Sequence, residues 1–587
     1  MADEPIINEI TISVTGTVDI TGVIDITRVI SIDPEPPEPI PPPEPTPPPE
    51  PTPPPEPTPP PESAATLVVE ITRDAGSYVF DEASGTDLGD YCHPGGHFTQ
   101  CCVLVTHPDL SNFSVFFRSD RDAARDEVVF EFGSIFTGEP TNMGPYTARI
   151  WRGTEMLAEI EAPLGHYWHS RWRWQSAPRP IIYDPAVWMS EGLLPYFSEA
   201  LFGSAIPLSN PRTYAGPMDL AGIEGYIPST GERDEIGLFT EGQAEFLCTG
   251  SESSWASVQA WLEASGTLPW HFRDENTHAP LDWDTYPNAT MYGGQDSGDP
   301  HITNPTSPIM LDVAHEGSFG FLPFVLTGDP YALESMQYAA TYNVVSLSPG
   351  ARANYNLGNG IRGMAWSLRA LAQCVTVTPE TIPSWLKPRA YFKARLDAEH
   401  QWFLDRYVNS DKLPACNLSL VNDGAGAPAS LPYPANSWFN IWQEDFLTAT
   451  IGWMVTAGHE NWRDVLTWKA TDVMARTNGT SGWCRAVPTL YQFTLREAAS
   501  DPIAPDWGAA WEANEAVAPD KCVHDDPDTI PASLDLTYPS YALGALALAA
   551  RAGVPQARAS YDWLLGQLQA NTSASKYTRR KWAIAAE

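Results

Sequence analysis

Trp438-Phe439-Asn-Ile-Trp442-Gln-Glu444-Asp445-Phe446-Leu-Thr-Ala449-Thr-Ile-Gly-Trp453 places Phe439, Trp442, Phe446, Ala449 and Trp453 at alternating spacings of three and four. Residues so spaced share one side of an α-helix, so the stretch predicts a helix with one buried stripe. The same period recurs in 236–264, 309–327, 330–347, 357–376, 386–408, 461–476, 536–552 and 556–571. Gly or Pro punctuates the ends, as in Thr327-Gly328-Asp329-Pro330 and Ala457-Gly458-His459. Helices of similar length joined by loops of varied length predict helical hairpins across 235–587. Two arrangements suit them, an open solenoid or an (α/α) toroid. The lack of a repeat period disfavours the solenoid.

Upstream the period changes to two. Leu67–Ile71, Cys101–His107, Phe113–Ser119, Glu127–Phe132, Tyr146–Trp151 and Met156–Ile160 are short β-rich runs separated by Gly, Asp and Pro. They predict an antiparallel β-sandwich over 66–165 that buttresses its neighbour. A basic-aromatic cluster follows: His166, Tyr167, Trp168, His169, Arg171, Trp172, Arg173 and Trp174. It opens an expected connector over 166–234. Arg171 and Trp172 suit an anionic sugar, by guanidinium fork and ring face; they equally suit an inter-domain seam with Arg stacked on Trp.

Residues 33–65 hold three successive copies of Pro-Pro-Pro-Glu-Pro-Thr, from 41 to 58. Proline fixes φ and lacks an amide donor, so the tract predicts an extended polyproline linker. Its proline-rich core could span on the order of 90 Å. Before it, Ile10, Ile12, Val14, Val18, Ile20, Ile24, Ile26, Ile30 and Ile32 all fall on even positions. Residues 1–32 therefore predict a β ribbon that cannot bury its apolar face alone, and that oligomerises or docks to a larger particle.

Acidic residues outnumber basic ones 73 to 34, for a formal net charge of −39. That balance argues against nucleic acid as a partner. No run approaches the roughly 20 apolar residues of a membrane span. The start Met-Ala-Asp-Glu-Pro shows no Sec signal. Eight scattered cysteines form neither a disulfide framework nor a zinc pattern and read as mostly buried thiols. G-x-S-x-G, P-loop and His-Glu-x-x-His motifs are missing, so hydrolase-fold esterase, nucleotide and zincin chemistry lack support. No metal site or cofactor is expected; Asp-rich loops offer oxygen donors for structural calcium, without EF-hand spacing.

The stretch from Asp312 through His315, Ser318, Pro323 and Thr327-Gly328-Asp329, with Asn359-Gly-Ile-Arg362-Gly-Met-Ala-Trp366-Ser-Leu-Arg369, resembles helices of six-hairpin (α/α)-toroid carbohydrate-active enzymes. The resemblance covers 235–475 and is strongest to bacterial and phage proteins of that architecture. It implies a polysaccharide lyase or glycosidase and a polysaccharide partner; residues 1–65 lie outside it and resemble phage structural protein, which implies a virion or cell-surface location.

The residues supply two kinds of chemistry. β-Elimination at a uronic acid needs a group to neutralise the carboxylate, a base for the adjacent proton and an acid for the leaving oxygen. His315, Tyr355, Asn356 and Arg362 are the right types, and Asp312, three residues before His315 on an expected helix, would orient the imidazole. His301, Tyr342, Asn343, Arg352, Trp366, Trp438, Trp442, Glu444 and Asp445 are the expected substrate contacts, with Arg369 on the Arg362–Trp366 face. A glycoside hydrolase would instead need two carboxylates, about 5–5.5 Å apart for retention or about 6.5–9.5 Å for inversion. Asp312, Glu316, Glu444 and Asp445 qualify, with Asp282 and Asp284 behind them. A non-catalytic glycan-binding tail protein is the third expectation.

Overall fold

The structure is a computed structural model. It describes residues 66–587 except 122–124, 137–141, 199–200, 202–210, 226–232, 292–298, 301, 303–308, 354–356, 358–359, 410–417, 422–437, 492, 496–500, 515–527, 532–533, 535–536 and 571–579. The expected ribbon (1–32) and linker (33–65) lie outside the described residues. The remainder, 65–587, is one compact unit.

Among the described residues, eleven strands open it: β1 Leu67–Arg73, β2 Gly76–Asp81, β3 Thr86–Asp87, β4 Tyr91–Cys92, β5 Thr99–Gln100, β6 Val103–His107, β7 Leu110–Ser119, β8 Asp126–Phe132, β9 Tyr146–Arg152, β10 Glu155–Ala162 and β11 Ser170–Gln175. One antiparallel sheet runs β10-β9-β1-β2 and the second β11-β8-β7-β6-β3. They bury one core, with Val69, Ile71, Ala148 and Ile150 from the first and Phe113, Val115, Val128 and Phe130 from the second.

The second sheet is covered on both faces. Every residue of β8 is buried, whereas β10 alternates little and is largely exposed. Val128, Phe130 and Phe132 face the sandwich core, while Val129 and Phe116 join the core of the helices. The order is sheet, sheet, helices.

β11 corrects two expectations. The cluster assigned to a connector is a strand, paired Arg171↔Glu131 and Arg173↔Val129 with β8. A period-two side-chain pattern explains it: Trp172 turns inward, 4.1 Å from Phe130 in a stacked pair, with its indole donating to the Tyr146 hydroxyl at 2.6 Å. Arg171 and Arg173 turn outward into the helices. The sandwich thus ends at Gln175.

Thirteen helices follow among the described residues: α1 Pro185–Ser190, α2 Glu241–Thr249, α3 Glu252–Ser265, α4 Phe321–Thr327, α5 Pro330–Val345, α6 Pro349–Ala353, α7 Ile361–Val377, α8 Arg389–Phe403, α9 Ile441–Thr456, α10 Arg463–Thr477, α11 Trp507–Glu512, α12 Thr537–Arg551 and α13 Ala557–Ala570. Among the described residues, α2/α3, α4/α5, α7/α8, α9/α10 and α12/α13 pack as consecutive pairs. Within the row α7 meets α9 and α9 meets α12, while the turn Arg580–Trp582 touches both α2 and α12. Glu241 of α2 accepts hydrogen bonds from the Arg580 and Lys581 amides.

Turn chemistry sets these pairs. A Thr240/Gln243 capping box starts α2, and Gly250 in the left-handed region (φ 62) ends it. Gly328 (φ 67) ends α4, and Asp329 caps α5 with Pro330 next. Three helices depart from expectation. The 236–264 period splits at Gly250. The 309–327 period becomes a 3-10 turn, Val313–His315, followed by the short α4. The opening stretch is helical only from Ile441, because Trp438–Phe439 pairs with Phe493–Thr494 as a short ladder. Nor does α9 bury a single stripe: among its sixteen residues, nearly all are buried between α7, α10 and α12.

Cysteines depart too. Cys102 and Cys374 are buried thiols and Cys92 is exposed, but Cys484 is disulfide-bonded. No helix among the described residues is long and apolar enough to cross a membrane.

Candidate functional site

Asp312, His315 and Arg362 meet at the N-terminal ends of α7 and α9. Asp312 caps the 3-10 turn, its Oδ1 accepting from the Ala314 amide at 3.2 Å. That turn bends the chain so that His315 Nδ1 reaches Asp312 Oδ2. The expected contact is present without the expected helix. On the other ring nitrogen, Arg362 Nη2 lies 3.1 Å from His315 Nε2.

An arginine only donates, so Nε2 accepts and Nδ1 carries the proton toward Asp312. The imidazole is neutral in this arrangement, with its basic lone pair aimed at a guanidinium. Burial works to raise the Asp312 carboxyl, but the hydrogen bond from His315, with the Ala314 amide and the Arg362 charge, holds it below the usual carboxylate range.

Aromatic rings flank the pair. The Arg362 guanidinium lies 5.6 Å over Trp442, and its amide donates to Gln443 Oε1 at 3.3 Å. Trp442 is stacked with Tyr491 at 6.1 Å and meets Tyr538 and Tyr541 at 6.1 and 6.2 Å. Tyr491 is 55% exposed and Tyr538 half-buried, while Trp442 and Tyr541 are buried beneath them, so the group meets solvent at its Tyr491 edge. Beneath His315 a cavity of about 30 Å³ is lined by Glu224, Arg233, Asp312, Glu316 and Tyr342. It fits water and is too small for a sugar ring. Tyr491, Tyr538 and Tyr541 escaped the sequence because Tyr491 and the start of α12 reach Trp442 of α9 only through the fold.

Other expected site residues lie elsewhere. Trp366 and Arg369 are fully buried; Arg369 donates to the Gly237 and Glu316 carbonyls and pairs with the Glu316 carboxylate at 3.3 Å. The arginine-tryptophan face of α7 is core beyond its first turn. Tyr342 and Asn343 are buried too, Tyr342 against the small cavity. Arg352 is buried and donates to the Pro287 and Ala289 carbonyls, tying down a loop.

Glu444 and Asp445 also prove structural. Glu444 pairs with Lys469 at 3.0 Å and Asp445 with Arg476 at 2.5 Å, all fully buried or nearly so. Burial pushes Glu444 up to about 7 and Asp445 up to about 6 against those partners. Glu316 is pushed up to about 7 by burial, Arg369 opposing. Asp282 is held by Lys387 at 2.7 Å.

Arg171 belongs to the seam and Trp172 to the sandwich core, not to a sugar site. Arg171, Arg118 and Arg273 converge on Glu334, the last two at 2.9 and 2.7 Å. Arg173 bridges Glu127, Glu263 and Asp329 at 2.9, 2.7 and 2.7 Å. These ions have left water, and their mutual pairing offsets that desolvation. His301, Tyr355 and Asn356, and the side chain of Trp438, lie outside the described residues. Among the described residues, no three His, Cys, Asp or Glu side chains form a group able to hold a metal.

No protein-family model, curated protein or solved structure matches the chain.

Proposed function

We propose that the protein is an (α/α)-toroid enzyme that cleaves a uronic-acid-containing polysaccharide by β-elimination at the Asp312–His315–Arg362 end. The observation that carries this is the His315 imidazole held between a carboxylate and a guanidinium, beside an aromatic cluster exposed at Tyr491. The connections between α3 and α4, α8 and α9, and α10 and α12 each hold more than thirty residues. Those within the consecutive pairs are far shorter, and long loops carry function disproportionately. The paired helices, and the Arg580–Trp582 turn joining first pair to last, support the ring.

Each group has a task. A substrate carboxylate draws the Arg362 guanidinium to itself, which acidifies the C5 proton and frees Nε2 of His315. Nε2 takes that proton, Asp312 steadies the resulting imidazolium, the C4–C5 double bond forms and the C4–O bond breaks. The leaving oxygen takes a proton from an acid, for which Tyr355 is the sequence candidate. A hydrolase would need two accessible carboxylates. Glu316, Glu444 and Asp445 are all engaged inside the protein, which weighs against it.

The ribbon and linker, residues 1–65, would mount this head on a virion or cell surface. Deleting 1–32 should lower the oligomeric mass or release the protein from its particle.

The deciding experiment incubates the full chain with acidic and neutral polysaccharides. Ultraviolet absorbance of an unsaturated uronate on acidic polymers supports elimination. Reducing ends without absorbance indicate a hydrolase, and neither signal indicates a glycan-binding body without catalysis; both defeat the proposal.

A further inference from the structure

A second cleft lies at the far ends of the helices that carry Arg362 and Trp442. Its walls include Thr376 and Val377, which end α7, and Ala457, which follows α9. Fourteen residues separate Arg362 from Thr376, so the two sites are about 21 Å apart along the helix. The cleft has a volume of about 780 Å³, within the range of small-ligand sites.

Three parts of the chain build it: the β4 end, Cys92–Pro94; the segment carrying Tyr183, Trp188, Glu191 and Leu193; and the helix ends. Close approach at Gly328 holds the first against the last. A Cβ there would sit 2.1 Å from the His93 ring, so only glycine admits the imidazole. His93 is stacked with Tyr183 at 5.8 Å, and Tyr183 meets Trp188 edge-on at 5.7 Å. Burial pushes His93 down to about 4, so it stays neutral near neutral pH.

We propose that this cleft binds a neutral oligosaccharide. Tyr183, Trp188, Phe324 and Val377 offer ring faces and aliphatic surface to the C–H side of a sugar. Glu191 and Glu380 at the rim accept hydrogen bonds from hydroxyls. The rim's cation, Arg389, is already engaged: its Nη1 donates to Glu380 at 2.5 Å and its Nε to the Thr378 carbonyl at 2.7 Å. Two carboxylates against one occupied guanidinium disfavour an anionic sugar. The cleft therefore has the opposite charge preference to the Arg362 end, and it stands independently of the elimination chemistry proposed there.

Calorimetric titration of the full chain with maltohexaose, cellohexaose, xylohexaose and mannohexaose tests this. At least one should bind, and Trp188→Ala should weaken it about tenfold or more. His315→Ala should leave that affinity unchanged. The doubly substituted Glu191→Gln, Glu380→Gln protein, altered only at exposed positions, should also bind more weakly and decides the matter if Trp188→Ala fails to fold by circular dichroism. No binding by the parent, unchanged binding in folded Trp188→Ala and the rim variant, or loss confined to His315→Ala would each overturn the proposal.

Discussion

Arg362 Nη2 stands 3.1 Å from His315 Nε2, so a cation occupies the position that a proton or a substrate would otherwise take. The guanidinium donates to Nε2, and that nitrogen is free only once an anion has drawn the arginine away. In the proposed reaction, binding the substrate carboxylate and unmasking the base are one event.

Replacing His315 by alanine should lower kcat on an acidic polysaccharide by about 10²–10⁴-fold while leaving the melting temperature nearly unchanged. Arg362→Lys keeps the charge but loses the fork, and should retain only part of the activity. Full activity in either variant would remove that residue from the mechanism.

Tyr491, half exposed and stacked on Trp442, should affect binding more than turnover. Tyr491→Ala is expected to raise KM several-fold with kcat little changed. Initial-rate measurements over a range of polymer concentrations check this. A fall in kcat alone would argue against a subsite.

Acid should weaken the turn that carries Asp312. Because its folded carboxyl titrates below the ordinary value, the unfolded chain takes the proton first as pH falls. Its stabilising contribution is complete above about pH 4 and is lost as the pH drops through the folded value. Asp312→Asn cannot titrate, so the melting-temperature gap between parent and variant should shrink from about pH 7 to about pH 3. A constant gap would contradict the depressed carboxyl.

Glu334 faces three buried arginines. Glu334→Ala should cost about 3–5 kcal/mol, since it strands their charges without water. Urea denaturation measures the loss. A cost below 1 kcal/mol would mean that the seam rehydrates.

Gly328→Ala should destabilise by more than the roughly 1–2 kcal/mol of a left-handed backbone, because the new methyl meets the His93 ring. Thermal melts of the two proteins settle the size, and a smaller shift would show that His93 yields.

Periodicity made most helices and sandwich strands legible, since each buries its own face. It failed where another element decides. In 309–327, Gly317 and Gly320 interrupt the helical period, and Asp312 caps a single turn instead. At α9 the apolar stripe was visible, but burial on the remaining sides depends on α10 and α12. Ser170–Gln175 carried a strand signal, with Trp172 and Arg171 on opposite faces, that its unusual charge obscured. For the site, Asp312 and His315 lie close in sequence and were legible. Arg362 was legible by type alone. Glu444, Asp445 and Arg369 misled because a charge looks the same in sequence whether it faces solvent or its buried counter-ion.

The arginine seam governs how the chain can be recombined. Arg118, Arg171 and Arg173 grow from the sandwich, while Glu263, Asp329 and Glu334 grow from the helices. A chimera that grafts this sandwich onto foreign helices would carry unmatched cations into a dry junction. Exchange of parts, by engineer or by genome, is therefore confined to cuts upstream of Leu67, and the two layers must be inherited together.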